Sequence, residues 1–366
     1  MGVKFISGGA LTTIQDMGRF GYQETGMPVS GVMDKRSAAL ANLLVGNRTE
    51  EAVLEITMLG PAMEFTEDNI VAVTGADLGA KLNGAEFPRY EAVLVRAGQT
   101  LSFSGIRSGS RAYVAFAGGL DVPQVMGSKS TNLKSVIGGL NGRKIGSGDA
   151  IGFAAPKTFL PNMKKRRLKP EDFSAKEHTL RVVMGPQDDC FTEQGIVTFL
   201  GSEYTISNEY DRMGCRMQGP VIEHKNGGDI ITDGINFGSV QIPSHGNPIV
   251  MMADHQTTGG YTKIATVVSV DLPVLAQSLP GQKIRFERIE IEEAQDLLCS
   301  WMEELGRLDR EWNTVTEPAS DVQAVALSAA LCEQKTNFSS QGTYRIVVNG
   351  EEFLVELQKE TEPFRE

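Results

Sequence analysis

Val53-Leu54-Glu55-Ile56, Ile70-Val71-Ala72-Val73, Ala92-Val93-Leu94-Val95 and Ala112-Tyr113-Val114-Ala115-Phe116 decide the fold class. Each run has the length of a strand and is too short for an ordinary helix. Turn residues separate them: Gly60-Pro61, Gly75, Asn83-Gly84 and Gly118-Gly119. Short apolar runs divided by turn signals predict antiparallel β structure, a barrel or sandwich, from Val53 to Phe153. Asn83-Gly84 is the strongest hairpin signal, because both residue types accept the positive φ of a type I′ turn.

Outward from that stretch the pattern recurs. Leu180 to Phe286 reads as a second β-rich module, with strands at Leu180–Met184, Ile249–Met252 and Thr266–Val270. Gly98-Gln99-Thr100-Leu101-Ser102-Phe103 is echoed by Gly281-Gln282-Lys283-Ile284-Arg285-Phe286 and loosely by Gly148-Asp149-Ala150-Ile151-Gly152-Phe153. Each is a turn feeding an alternating strand, which suggests two related modules. Upstream, Asp34 reads as the N-cap of a helix over Ser37–Leu44 that stops at Gly46. Between the modules, Lys157, Lys164, Lys165, Arg166, Arg167 and Lys169, with Pro161 and Pro170, read as a solvated linker.

The expected organisation is a first β module over 1–155, a basic linker over 156–178, a second β module over 179–289 and an acidic extension over 290–366. The fold class is therefore mainly β, with few helices. In the extension, Ile291, Ala294, Leu297, Leu298, Trp301, Met302, Leu305 and Leu308 fall at helical spacing. This amphipathic helix docks either on the chain's own body or in a partner's groove. A short helix is expected near Val322–Leu331, then a hairpin from Tyr344–Val348 and Phe353–Leu357 around Asn349-Gly350.

Charge follows the same division. The chain carries 46 acidic and 35 basic residues, a net charge of −11. Residues 287–366 hold 18 of the acidic and 7 of the basic side chains, so the body is neutral. A neutral body with an acidic tail argues against nucleic acid as a partner. No apolar run reaches the length of a membrane span, and no signal-peptide core opens the chain. Cys190, Cys215, Cys299 and Cys332 show no C-x-x-C spacing and are expected as reduced thiols of a cytoplasmic protein.

Several chemistries lack their motifs. Gly127-Ser128-Lys129-Ser130-Thr131 has the wrong spacing for a phosphate-binding P-loop, and neither H-E-x-x-H nor G-x-S-x-G occurs. Four scattered histidines give no metal-site spacing. No lysine lies in a biotin-attachment hairpin. The chain itself thus shows no recognisable cofactor or metal motif.

Four glycine-punctuated clusters remain. They are Thr12–Gly21 continuing through Gly26–Asp34; Arg111–Pro123 followed by Gly127–Thr131; Tyr210-Asp211-Arg212-Met213-Gly214; and Gln241–Gly246 followed by Asp254-His255-Gln256-Thr257-Thr258-Gly259-Gly260-Tyr261. In this order they resemble the allophanate hydrolase subunit 2-like, or biotin-dependent carboxyltransferase, family over roughly residues 3–290. That family includes the C component of bacterial 5-oxoprolinase (KipA).

The resemblance implies two tandem cyclophilin-like β-barrel modules. It also implies a complex with a sister subunit of related fold and a lactam-hydrolase subunit, which uses ATP to open 5-oxoproline to L-glutamate. A carboxyltransferase acting on urea or another amide, with biotin on another chain, is the alternative, and a non-enzymatic regulatory subunit is a third.

Both chemistries must stabilise negative charge on an amide oxygen and orient an amide N–H. Arg19 and Arg212 are therefore candidates to hold an anion, and Asp254 to act as base or amide orienter. Gln256, Thr258, Gly259, Gly260, Tyr261 and Ser128 are candidates to position substrate.

Overall fold

The computed structural model describes residues 2–314 and the strands Gly342–Val348 and Glu351–Leu357. The architecture is mainly β, as the sequence pattern predicts. In the first part of the chain, two sheets face each other. One has seven strands in the order Leu120–Asp121, Ala150–Phe153, Gly2–Ser7, Ala62–Phe65, Thr100–Phe103, Ala80–Leu82, Ala85–Glu86. The other has five, ordered Leu11–Gln15, Val53–Thr57, Ser108–Phe116, Asn69–Asp77, Val93–Val95. Their inner faces bury Phe5, Phe65, Phe116 and Phe153 together with aliphatic residues of most strands. The rings of Phe116 and Phe153 stand 5.2 Å apart and tilted, a favourable aromatic geometry.

The second sheet system is closed. Glu177–Met184 pairs in parallel with Lys283–Arg288 on one side and antiparallel with Thr258–Val267 on the other. These pairings turn seven of its strands into a ring, and Asp229–Gly234 hangs from Thr258–Val267 as an outer strand. Closure leaves no free edge within the ring. Its core holds Leu180, Phe199, Tyr204, Ile264 and Phe286, with helix α2 (Glu193–Gly201) packed alongside.

The three echoed segments share one device. Gly98, Gly148 and Gly281 have φ of 81°, 85° and 88°, and each leads into a strand. Asn83 and Gly84 both have positive φ, as an I′ hairpin requires, and Leu82 pairs with Ala85 across them.

Helix α1 (Lys35–Leu44) starts where the sequence places it: the Asp34 carboxylate accepts from Ser37 N at 2.9 Å. Two helices follow later, α3 (Leu272–Gln277) and α4 (Ile291–Asn313). The amphipathic helix α4 docks on the chain's own body. Its anchors are Leu308 and Trp312, both buried against α1 residues and Leu160. Trp312 lies one turn beyond the periodic run that marked the helix in the sequence. Ile291 and Met302 stay exposed.

The basic segment departs from a solvated linker: Leu160 and Arg166 are buried, and Arg167 pairs with Glu91 as a β-bridge. Arg166 is buried, donating to the carbonyls of Leu43 and Leu44 at the end of α1, to Trp312 O at 3.1 Å and to Asn313 Oδ1. A guanidinium satisfies helix C-terminal carbonyls and favours the negative end of the dipole. Lys164, Lys165, Arg167 and Lys169 are exposed.

Gly342–Val348 and Glu351–Leu357 pair antiparallel, in the register of the expected hairpin. The Asn349-Gly350 turn, the Val322–Leu331 helix and Cys332 lie outside the described residues.

Candidate functional site

The Tyr210–Gly214 motif is a turn built by Asp211, whose Oδ1 accepts from Met213 N at 2.7 Å and Gly214 N at 3.1 Å. That turn projects Arg212 into the first β system. Arg212 Nε and Nη2 donate to Asp254 at 2.8 and 3.1 Å, Nη2 to Gly31 O at 2.6 Å, and Nη1 to Glu55. Burial works against the Arg212 charge, yet Asp254 and Glu55 more than offset it and hold its pKa above the usual value. Glu55 Oε2 in turn accepts from Met33 N at 2.7 Å and Tyr113 Oη at 2.9 Å.

The network continues into α3. The strand Ser108–Phe116 is bulged, its register against Asn69–Asp77 shifting between Ser108 and Ala112. Ser110 N and Arg111 N donate to Gln277 Oε1 at 3.1 and 3.0 Å. Gln277 Nε2 donates to Arg111 O and to Asp34 Oδ2, both at 2.8 Å. One side-chain amide thus replaces the pairing that the bulge forgoes and ties α3 to the cap of α1. Burial pushes the Asp34 carboxyl up to about 6, against the lowering hydrogen bonds from Gln277 and Ser37.

Asp16 forms a second centre. Its carboxylate accepts from Gly18 N at 2.9 Å, Ser128 Oγ at 2.7 Å, Lys129 N at 2.6 Å and Ser130 Oγ. Ser128 therefore spends its hydroxyl on a turn. Arg19, fully buried, donates from Nε to Val125 O and from Nη2 to Ser130 O, each at 2.9 Å. Its Nη1 has no hydrogen-bond partner among the described residues. Burial lowers the Arg19 pKa, and the charges of Asp16 and Asp254 oppose that shift. An unsatisfied guanidinium N–H beside a carboxylate is a ready donor for an incoming oxygen.

The third centre is the entry of strand Thr258–Val267. His255 is buried, with Nδ1 at 2.7 Å from Gln256 O, and burial lowers its pKa, so the imidazole is neutral at pH 7. Gly259 lies where a Cβ would come 3.0 Å from Gln241 Nε2 and 3.5 Å from Gln256 Nε2. Thr258 and Tyr261 are exposed, and Gly260 faces Ile230 O.

The structure thus pairs Arg212 with Asp254 directly and sets Arg19 within their electrostatic reach. Gln256 and Gly259 meet around Gln241, while Ser128 stays with the Asp16 turn. Sequence reasoning missed Glu55, Tyr113 and Gln277. Glu55 had a signal: it is a carboxylate within an apolar strand run. Gln277 had none, because its role depends on a bulge formed 166 residues earlier. Lys263 and Asp233, joined at 2.6 Å, were also missed. Among the described residues no group of acidic, His or Cys side chains could hold a metal ion, and no helix is long and apolar enough to cross a membrane.

The carboxyltransferase domain, subdomains A and B, matches residues 25–288. The chain belongs to this carboxyltransferase-domain family. The C component of 5-oxoprolinase from Escherichia coli (strain K12) is 38% identical over 80% of this chain and 93% of its own length. A urea amidolyase from Lachancea kluyveri is 30% identical over 93% of this chain, which spans 20% of that protein. The crystal structure of Kluyveromyces lactis urea carboxylase matches 87% of this chain and 30% of its own, with 28% identity and a TM-score of 0.78. The carboxyltransferase domain of these proteins is therefore the unit reproduced here. Glu55, Arg212 and Asp254 all lie inside the matched segment.

Proposed function

We propose that the chain is the C component of a cytoplasmic, ATP-dependent 5-oxoprolinase complex. With a sister subunit of related fold and a lactam-hydrolase subunit, it opens 5-oxoproline to L-glutamate. The observation that carries this reading is the match to the E. coli protein over 93% of its length. The site chemistry is compatible with it. Amide resonance makes a lactam carbonyl a poor electrophile, and donors aimed at its oxygen lower the barrier. The free Nη1 of Arg19 is one such donor. Asp254, fixed by Arg212, is oriented to accept an amide N–H. Arg212 itself has each of its three nitrogens engaged within the chain, so we assign it to positioning rather than to substrate. ATP belongs to the complex in this scheme. The test is glutamate release from 5-oxoproline by this chain combined with its two partner subunits and ATP; an intact complex that releases none refutes it.

The second reading is carboxyl transfer from biotin, carried on another chain, to urea or another amide. The L. kluyveri match favours it, because it extends over 93% of this chain against 80% for the E. coli protein. Carboxylation of urea from free carboxybiotin distinguishes the two. The regulatory reading loses much of its motive, since α4 is anchored on the chain itself through Leu308 and Trp312.

A further inference from the structure

The outer face of the closed sheet carries a cluster that the network above does not use. Gly259, Tyr261 and Lys263 alternate along one strand and therefore share a face. Gln241 is the register partner of Lys263, and Asp233 that of Gly259. Gln241 is 2% exposed, and its Nε2 has no hydrogen-bond partner among the described residues. A buried amide donor left without a partner carries a desolvation penalty that a bound acceptor would remove.

Two further features give the cluster a polarity. Lys263 Nζ is buried and, among the described residues, donates to Asp233 Oδ2 alone, at 2.6 Å. Ammonium has three donors, so capacity remains. Asp233 is half-exposed and is also held by Gln187 Nε2 at 3.1 Å. Beside these groups lies a small apolar patch of Ile235, Ile249 and Met251, separate from the main core. The half-buried Gln256 stands at the same glycine: a Cβ at Gly259 would lie 3.0 Å from Gln241 Nε2 and 3.5 Å from Gln256 Nε2.

We propose that this face is a binding site for a small amide-acid. Its carbonyl oxygen accepts from Gln241 Nε2, its carboxylate meets Lys263, and its short hydrocarbon part lies on the Ile235 patch. Gln241 is then the group that selects an acceptor oxygen, and Asp233 competes with the ligand carboxylate for Lys263 Nζ. The choice of 5-oxoproline as probe rests on the function proposed above; the geometry of the site does not.

The test is calorimetric titration of the full chain with 5-oxoproline and, separately, with urea. Saturable binding of 5-oxoproline is expected. Gln241→Leu should weaken both ligands about tenfold, the loss of one buried hydrogen bond. Lys263→Met should weaken 5-oxoproline alone, because urea has no carboxylate. Asp233→Asn keeps an amide oxygen beside Lys263 Nζ; with its folding verified by urea-induced unfolding, it should tighten 5-oxoproline binding several-fold by freeing the ammonium. A purely structural ion pair would give the opposite or no change.

No binding by the wild-type chain, or Lys263→Met and Asp233→Asn variants that bind like wild type, overturns the site. Glutamate release by the assembled complex without ligand binding by this chain removes the site and leaves the function. Binding with the expected variant pattern but no glutamate release does the reverse.

Discussion

Replacing Arg212 by methionine removes one side chain that four hydrogen bonds hold between two β systems. The perturbation is large because of what it strands. Glu55 is 1% exposed and Asp254 has a side-chain exposure of 10%, so both carboxylates lose, away from bulk water, the one guanidinium they bind among the described residues. Breaking a buried ion pair from one side costs about 3–5 kcal/mol. Glu55 keeps Met33 N and Tyr113 Oη as donors, which places the expected loss near the lower end, about 3 kcal/mol.

Adding Glu55→Gln to Arg212→Met removes one stranded charge and should recover about 1–2 kcal/mol, a coupling that independent sites do not show. Arg212→Lys should not rescue, since an ammonium cannot donate in a fork to Asp254 and also reach Glu55 and Gly31. The assay is urea-induced unfolding, at one pH, of wild type, Arg212→Met, Glu55→Gln, the double variant and Arg212→Lys. A loss below about 1 kcal/mol for Arg212→Met, or strict additivity with Glu55→Gln, would refute the view of Arg212 as the clamp.

Other outcomes follow from the same geometry. Asp34 titrates near 6 in the folded chain against 3.8 unfolded, so the folded state binds its proton more tightly. The resulting stability is fully present below pH 3.8 and is lost as pH rises through 6, about 3 kcal/mol in all. Thermal midpoints of wild type and Asp34→Asn across pH 4 to 7 should therefore converge or cross as pH rises, and parallel curves would contradict the assignment. Trp312→Ala should cost about 3–5 kcal/mol and expose α4 to limited proteolysis, while Met302→Ser should change the unfolding free energy by less than about 0.5 kcal/mol. Ser128→Ala should lower stability by about 1 kcal/mol through its lost bond to Asp16 while leaving kcat of the assembled complex within twofold; a large kcat loss at unchanged stability would place Ser128 at the substrate.

The strand system was legible because its cause is local. Apolar runs of four to five residues, bounded by Gly, Pro and Asn, define strands without knowledge of the rest. Asp34 and Asn83-Gly84 were legible for the same reason, since caps and I′ turns act over three or four residues. Trp312 escaped the helical periodicity because its burial depends on α1 and Leu160. Arg166 escaped because nothing in a basic, Pro-flanked stretch announces that α1 ends beside it. The candidate site divides in the same way. Arg212, Asp254, Gln256 and Gly259 stand in glycine-marked motifs that resemble the family. Gln277 and Lys263 carry no local mark, because their partners arrive through a bulge and through the outer strand Asp229–Gly234. The acidic extension beyond 290 looked uniform by charge, yet α4 is part of the body's packing through its last two turns.

The most direct measurement is ATP-dependent glutamate formation from 5-oxoproline by the purified chain assembled with its two partner subunits. Glutamate release that requires all three chains and ATP is the predicted result. A verified intact complex that releases no glutamate, while the chain moves a carboxyl group from carboxybiotin to urea, would contradict it.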